Sequence, residues 1–474
     1  MMAVALILAS RILLPAMASA PEATGPPSVE DPNQLAQRAQ ALLKDDLYED
    51  ALADLSESLA RFPDHAPLHV AMADVLYRRG DFDEAERHYR LAVERDAHLA
   101  AAHFGVGRVL RTLGRYGEAA ESYSRAAALE PDVPRYLRIL ANHLARRQDS
   151  LAMLRRYLEL ARQQPGVEEP SMILNVEAWV ALLSQMGETP LSEMVSAKPC
   201  VVPLQVASNH LYLKLRVGGL TNQRFVFDTG ATGLTISPRI AARLKLMTVR
   251  PFAITGTGAR GTETGDLVVI PEIALGAADD AGKPGEAILL RNIPATIRDP
   301  SGTEEGLIGP SFFSMFDITV EMKKARLTFA TPATAPPGHS LKFRNVGGQL
   351  MITAMIDGIP FNAMIDTGAD STIVGQTTVG RVPGLQVVPA RWQEGGTTTG
   401  IGGPLADRKR ILKGSLSFAG RDHTASGLLS ANLAGFSRAL ESEVYIILGA
   451  QHLRDTPFTI SYRDMTVTFA DELN

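Results

Sequence analysis

Apolar positions along the chain fall into two regimes. From residue 34 to residue 166 they recur at helical spacing, and small and aromatic residues return every 34 positions. Asp46, Tyr48, Ala51, Leu55, Ser58 and Pro63 open the series. Gly80, Phe82, Ala85, Tyr89, Ala92 and Ala97 repeat it, followed by Gly114, Tyr116, Ala119, Tyr123, Ala126 and Pro131. Tyr157 and Pro165 hold a weaker fourth copy in register. The spacing predicts helix-turn-helix units. Glycine sits in the tight turn, where a missing Cβ permits a left-handed backbone. Small residues let paired helices approach, and aromatics fill the seam between units.

Beyond Val201 the helical period fades. Short β-branched runs alternate with turns: LYLKLRVGG, RFVFDTG, GDLVVIPEIAL, DITVEMKKARLTFA. This is the texture of closely spaced hairpins. TPATAPPGHS, residues 331–340, reads as a Pro-rich linker that divides the β region in two. Between the regimes, residues 167–200 hold one more helix, SMILNVEAWVALLSQM, and a connector with Pro190 and Pro199. The predicted organisation is therefore multidomain. An all-α solenoid over 34–166 precedes an all-β pair of lobes, 201–330 and 341–474.

The β halves run in parallel. LYLKLRVGGLTNQRFVFDTGA answers LMITAMIDGIPFNAMIDTGA, each a hairpin that delivers Asp-Thr-Gly at the end of its second strand. The triplets are Asp228-Thr229-Gly230 and Asp366-Thr367-Gly368. Gly-rich stretches come next, and each half closes on an apolar-apolar-Gly, Leu307-Ile308-Gly309 and Ile447-Leu448-Gly449. One carboxylate on such a loop is ordinary. Two brought face to face cannot both ionise, so they share one proton. One then serves as base toward a water and the other as acid toward a carbonyl oxygen. That chemistry needs the element twice.

Two resemblances rest on these residues. RRGDFDEAERHYRLAVERD and TLGRYGEAAESYSRAAALEP resemble tetratricopeptide repeats, whose stacked helix pairs form a surface that usually holds a peptide or partner protein. Each β half is similar to a retropepsin-type aspartic protease domain; AMIDTGADSTIVG resembles the retroviral active-site segment most closely. The resemblance implies that Asp228 and Asp366 form the catalytic pair, supported by Thr229, Gly230, Thr367 and Gly368. It implies that the later apolar-apolar-Gly packs beneath each Asp loop. It also implies Gly-rich flaps, at Gly256 and Gly258 in the first half and at Gly400, Ile401 and Gly402 in the second. Neither flap candidate carries a Tyr. The first half has Thr232-Gly233 where the second has Asp370-Ser371, which bears on substrate preference.

The rest of the sequence narrows the field. The net charge of the 474 residues is −5, with no basic run interleaved with aromatics, so nucleic acid is not an expected partner. The single cysteine, Cys200, allows no internal disulfide and no Cys-rich zinc site. No metal or cofactor is expected. Residues 256–261 match G-x-G-x-x-G, but the next residues, TETGDLVVI, read as a strand rather than a helix, which points to a hairpin tip. The N-terminal MMAVALILASRILLPAMASA is apolar and ends in Ala18-Ser19-Ala20, the pattern of a signal peptide over 1–20 with Arg11 as an interruption. A Pro-rich leader, 21–33, comes after it. The expectation is an exported, periplasmic or secreted aspartic endopeptidase acting on peptides or proteins, with repeats that recruit substrate or partner. Its rival is a non-catalytic adaptor built from the same parts.

Overall fold

The computed structural model describes residues 31–144, 146–207, 210–231, 233–255, 262–276, 286–298, 304–330, 337–389, 399–400, 403–404, 408–425 and 427–471. The expected signal peptide, most of the leader and the flap residues Gly256, Gly258, Ile401 and Gly402 lie outside that set.

The helical regime forms nine helices among the described residues. They are α1 (Pro32–Lys44), α2 (Tyr48–Arg61), α3 (Ala66–Arg79), α4 (Phe82–Arg95), α5 (Ala100–Thr112), α6 (Tyr116–Leu129), α7 (Pro134–Ala141), α8 (Arg147–Gln163) and α9 (Pro170–Met186). The 34-residue period is visible in the backbone. Gly80 and Gly114 turn the chain at φ of +92° and +78°, and Asp46 does the same work at +59° in the first unit. The repeated Ala positions within the helices are buried, and Tyr89, Tyr123 and Tyr157 are completely so, whereas Tyr116 at the start of α6 is 44% exposed. Second helices such as α4 bury one face, whereas α3 and α5 bury residues on nearly every side. A helix that is apolar all round must be covered all round.

The two β halves share one topology. In the first, the hairpin His210–Val217 and Leu220–Phe227 is joined by Gly306–Ile308, which runs parallel to the second hairpin strand. Gly306–Ile308 also pairs antiparallel with Leu234–Ile236, which in turn runs parallel to Ile288–Ile297. The second half repeats each step. The hairpin Gln349–Ile356 and Ile359–Ile365 lies parallel to Ile446–Leu448. That strand pairs antiparallel with Ile373–Gly375, which runs parallel to Leu429–Ala431. A six-stranded sheet joins the halves. At its centre Asp317–Glu321 of the first half pairs antiparallel with Phe458–Ser461 of the second, and the Thr319 and Thr459 hydroxyls meet at 2.8 Å.

Two stretches differ from the sequence reading. Gly338–Lys342 is an edge strand of the joining sheet, paired with Thr466–Ala470, so the end of the expected linker is part of the fold. Glu193–Ala197, expected as connector, pairs with Ile288–Ile297. In both cases an open sheet edge satisfies a backbone whose own residues carry no strand pattern.

The second β half also packs on the solenoid. Val346, Met351, Met364, Ile373, Leu433, Phe436, Val444 and Ile447 share one apolar cluster with the helices. The contact runs along the helix turns. Carbonyls at the end of α3 have no partner within the helix. The second β half supplies them: the Glu443 N–H donates to the Arg78 carbonyl at 2.7 Å, and the Asn362 amide donates to the Gly80 carbonyl at 3.3 Å. Glu441 meets Arg108 at 3.2 Å and Arg135 at 2.5 Å. Burial alone would raise the Glu441 carboxyl; Arg108, Arg135, Arg138 and Arg111 override it and hold it at about 2. At the other end, the α9 residue Asn175 bonds both the N–H and the carbonyl of Ala253 in the first half. Part of the solenoid surface is thus taken by the chain's own β region. No described helix is long and apolar enough to cross a membrane.

Gly80 tests this docking. A Cβ there would stand 1.6 Å from the Asn362 amide, at a φ of +92°. Left-handed strain costs an L-residue roughly 1–2 kcal/mol, and the displaced amide bond adds about 1 kcal/mol. Gly80→Ala is expected to lower stability by about 3 kcal/mol on those terms. Gly166 has a similar φ, +87°, with nothing within 4 Å of its absent Cβ. Gly166→Ala is expected to show only the strain. Urea unfolding of both variants checks the difference.

Candidate active site

Each Asp-Thr-Gly sits where its hairpin's second strand stops. The Asp228 N–H donates to the Ile308 carbonyl at 3.1 Å, and the Asp366 N–H donates to the Leu448 carbonyl at 3.0 Å. The apolar-apolar-Gly strands therefore lie beneath the Asp loops, as the resemblance implied. The strands are wholly buried around these points, with Phe225, Phe227, Ile365 and Leu448 at 0% exposure, so the loops rest on a low-dielectric floor.

The loops meet through their threonines. The Thr229 N–H donates to Thr367 Oγ1 at 3.1 Å, and the Thr367 N–H donates to Thr229 Oγ1 at 2.9 Å. Each hydroxyl then donates across to the opposite strand, Thr229 to the Ile365 carbonyl at 2.9 Å and Thr367 to the Phe227 carbonyl at 3.0 Å. Both side chains are buried, so each hydroxyl uses its donor and an acceptor lone pair across the pseudo-twofold axis.

This lattice fixes the carboxyls side by side. The Asp228 and Asp366 carboxyls each lie against the opposite loop's glycine. A Cβ on Gly230 would stand 2.7 Å from the Asp366 carboxyl, and one on Gly368 would stand 2.4 Å from that of Asp228. Only glycine fits either place, because the opposite carboxyl fills the space. The Gly230 N–H donates to Asp228 Oδ1 at 2.8 Å. Asp366 Oδ1 accepts two such bonds, from Gly368 at 2.9 Å and Ala369 at 3.0 Å.

Burial raises both carboxyls above the usual Asp range. Asp366 rises furthest, because the Asp228 charge adds to burial. In Asp228 the bond from Asp366 and the Gly230 N–H offset part of the burial. Asp366 is therefore the member of the pair pushed further toward its protonated form. Taken as whole residues, both are half-buried.

The structure brings together Asp228, Thr229, Gly230, Asp366, Thr367 and Gly368. Of the flap candidates only Gly400 is among the described residues. Arg250–Thr255 pairs with Thr262–Leu275, and Thr399–Gly400 pairs with Gly403–Pro404. Among the described residues no group of three His, Cys, Asp or Glu could hold a metal ion. Two polar residues escaped the sequence reading. His210 Nε2 lies 3.0 Å from the Gly368 carbonyl, and the Gln349 amide donates to the Gly230 carbonyl at 2.8 Å. Each begins the first strand of its hairpin. The signal was present: both stand immediately before the matched runs LYLKL and LMITA.

Thr229→Val removes the hydroxyl and leaves the Ile365 carbonyl and Thr367 N–H buried without a partner. At roughly 1–3 kcal/mol for each such group, the loss is expected to be about 3 kcal/mol, read by urea unfolding. The dyad also predicts a pH effect. The unfolded chain loses both Asp protons near pH 3.9, whereas the folded chain retains one. Stability contributed by the pair thus falls as pH rises above that value toward the folded value of Asp366. Asp366→Asn relieves this cost. Its melting temperature is expected to gain on wild type at pH 7 and to lose that advantage at pH 3.

Known proteins match parts of this chain. The Aspartyl protease family model matches residues 213–312, which include Asp228 and end before Asp366. The Tetratricopeptide repeat model matches 37–100, 70–134 and 106–166. The TPR repeat-containing protein PA4667 of Pseudomonas aeruginosa is 33% identical over 128 residues, 27% of this chain and 21% of that protein. Protein O-mannosyl-transferase Tmtc3 of Drosophila melanogaster is 36% identical over 84 residues, 17% of this chain and 9% of that protein. The chain thus spans less than a quarter of either relative's length. Among solved structures, MamA aligns at 15% identity and a TM-score of 0.25, over 28% of this chain and 80% of that one. A thermophilic TPR protein of Thermus thermophilus aligns at 25% identity and a TM-score of 0.26, over 30% and 79%. The chain carries tetratricopeptide repeats joined to a β region that contains an aspartyl protease domain.

Proposed function

We propose that this protein is an aspartic endopeptidase with one active site built from both β halves. The observation that carries the reading is the side-by-side pair Asp228–Asp366, each carboxyl against the opposite loop's glycine and the loops held by reciprocal threonine bonds. A water between the carboxyls gives a proton to Asp228 as its oxygen attacks the peptide carbonyl carbon. Asp366 gives its proton to the carbonyl oxygen, and a tetrahedral diol forms. Asp228 then passes its proton to the amide nitrogen while Asp366 recovers one from a diol hydroxyl. The C–N bond breaks, and the dyad returns to its starting state. Neither step needs a covalent intermediate.

The repeats support a role in holding a protein substrate or partner, on solenoid surface that the second β half does not cover. The N-terminal stretch supports export, which would place the protease in the periplasm or outside the cell.

Cleavage of a diverse peptide library from pH 3 to 8 tests the reading. Activity is expected on the acidic side, because the proton on Asp366 must be retained. Asp228→Asn and Asp366→Asn are each expected to lose roughly 10²–10⁴-fold or more in kcat, the usual worth of a general acid or base. Loss in one variant alone would mean that the halves work separately. No cleavage by the wild type at any pH would favour the adaptor.

A further inference from the structure

Two side chains reach across the pseudo-twofold axis to the Asp loops, and they differ. Gln349 of the second half donates to the carbonyl of Gly230 in the first. His210 of the first half lies against the carbonyl of Gly368 in the second, at 3.0 Å through Nε2. Because that partner is a carbonyl, Nε2 carries the proton and donates. The other ring nitrogen, Nδ1, stands 3.6 Å from the Asp370 carboxylate, two residues further along the same loop. The ring also lies 6.2 Å from that of Tyr212.

The peptide unit that His210 touches is not a neutral bystander. Its carbonyl, Gly368, accepts from His210, and its N–H, Ala369, donates to Asp366 Oδ1 at 3.0 Å. Hydrogen bonds in such a chain polarise one another. A donor on the carbonyl strengthens the N–H bond to the carboxyl. The Ala369 N–H is shared, reaching the Asp366 backbone carbonyl at 3.3 Å as well; the matching Ala231 N–H in the first half makes only the backbone bond, to the Asp228 carbonyl at 3.1 Å. The dyad is therefore asymmetric at its loops.

Resting on the proposed hydrolysis, we infer that His210 is a positioning residue for Asp366. Through the Gly368–Ala369 peptide it orients the Asp366 carboxyl from the opposite half. Gln349 supports the first loop without this link to a carboxyl.

The test uses the full-length protein with His210→Ala and His210→Gln. Gln349 shows that a glutamine at the equivalent place makes the carbonyl bond, so His210→Gln is the rescue variant. Two readouts are taken: amide hydrogen exchange of residues 366–371, and kcat against KM on a peptide the wild type cleaves. His210→Ala is expected to speed exchange at Ala369 and to lower kcat, each by about tenfold, the scale of one hydrogen bond. KM is expected to hold within about twofold, since no substrate contact is removed and only the bond's worth is lost. His210→Gln is expected to restore both readouts to within about threefold of wild type, a residual within the scale of one bond. Unchanged exchange at Ala369 in His210→Ala, or failure of His210→Gln to restore it, overturns the inference. Should the wild type cleave nothing, the proposed hydrolysis falls on its own. The exchange measurement then still decides whether His210 orders the Asp366 loop.

Discussion

The reciprocal threonine bonds are the constraint on which the site depends. Two carboxyls in a low-dielectric setting repel once both are charged, and nothing local to either loop would hold them together. Thr229 and Thr367 solve this by giving each loop its buried partners in the other half. The glycines then have no freedom of choice, since a Cβ on either would stand under 3 Å from the opposite carboxyl. The joining sheet, with Asp317–Glu321 against Phe458–Ser461, keeps the halves in the same alignment from below. In-chain pairing thus rests on two independent contacts.

The solenoid adds a third. Its contact with the second half includes groups with opposed electrostatics. Glu441 is held low by arginines, so its contribution is present above about pH 4.5 and is lost as pH falls toward 2. Its side chain is 44% exposed, so solvent screens the pair and its worth in stability is modest. Glu443, buried beside Tyr48 and Thr377, is pushed up by desolvation, and its contribution falls as pH rises through its folded value. The segment bearing both runs straight into Ile446–Leu448, the strand whose last carbonyl accepts the Asp366 N–H. The repeats therefore serve as part of the frame of the second half, beyond any role in recruitment.

Much of this was legible in the sequence, for physical reasons. The 34-residue period is a packing rule written in Ala, Tyr and turn Gly, and Tyr89 and Tyr123 are buried where that rule puts them. The paired Asp-Thr-Gly elements and their later apolar-apolar-Gly strands could be matched by eye, because each position has a local backbone requirement. What escaped had no local signature. Asn362 caps a helix 282 positions away, and Glu441 finds arginines on α5 and α7 only once the chain has folded. Residues 338–342 read as linker because a strand that borrows an existing edge needs no pattern of its own. His210 and Gln349 were visible in aligned hairpins, but their meaning lies across the axis.

The claim that one chain builds one site can be tested most directly by mixing. Asp228→Asn and Asp366→Asn proteins are combined in equal amounts and assayed on a peptide that the wild type cleaves. The account predicts no recovery at any protein concentration, because each chain's halves are already paired with one another. Activity rising with concentration in the mixture would contradict it and would mean that the halves pair between chains.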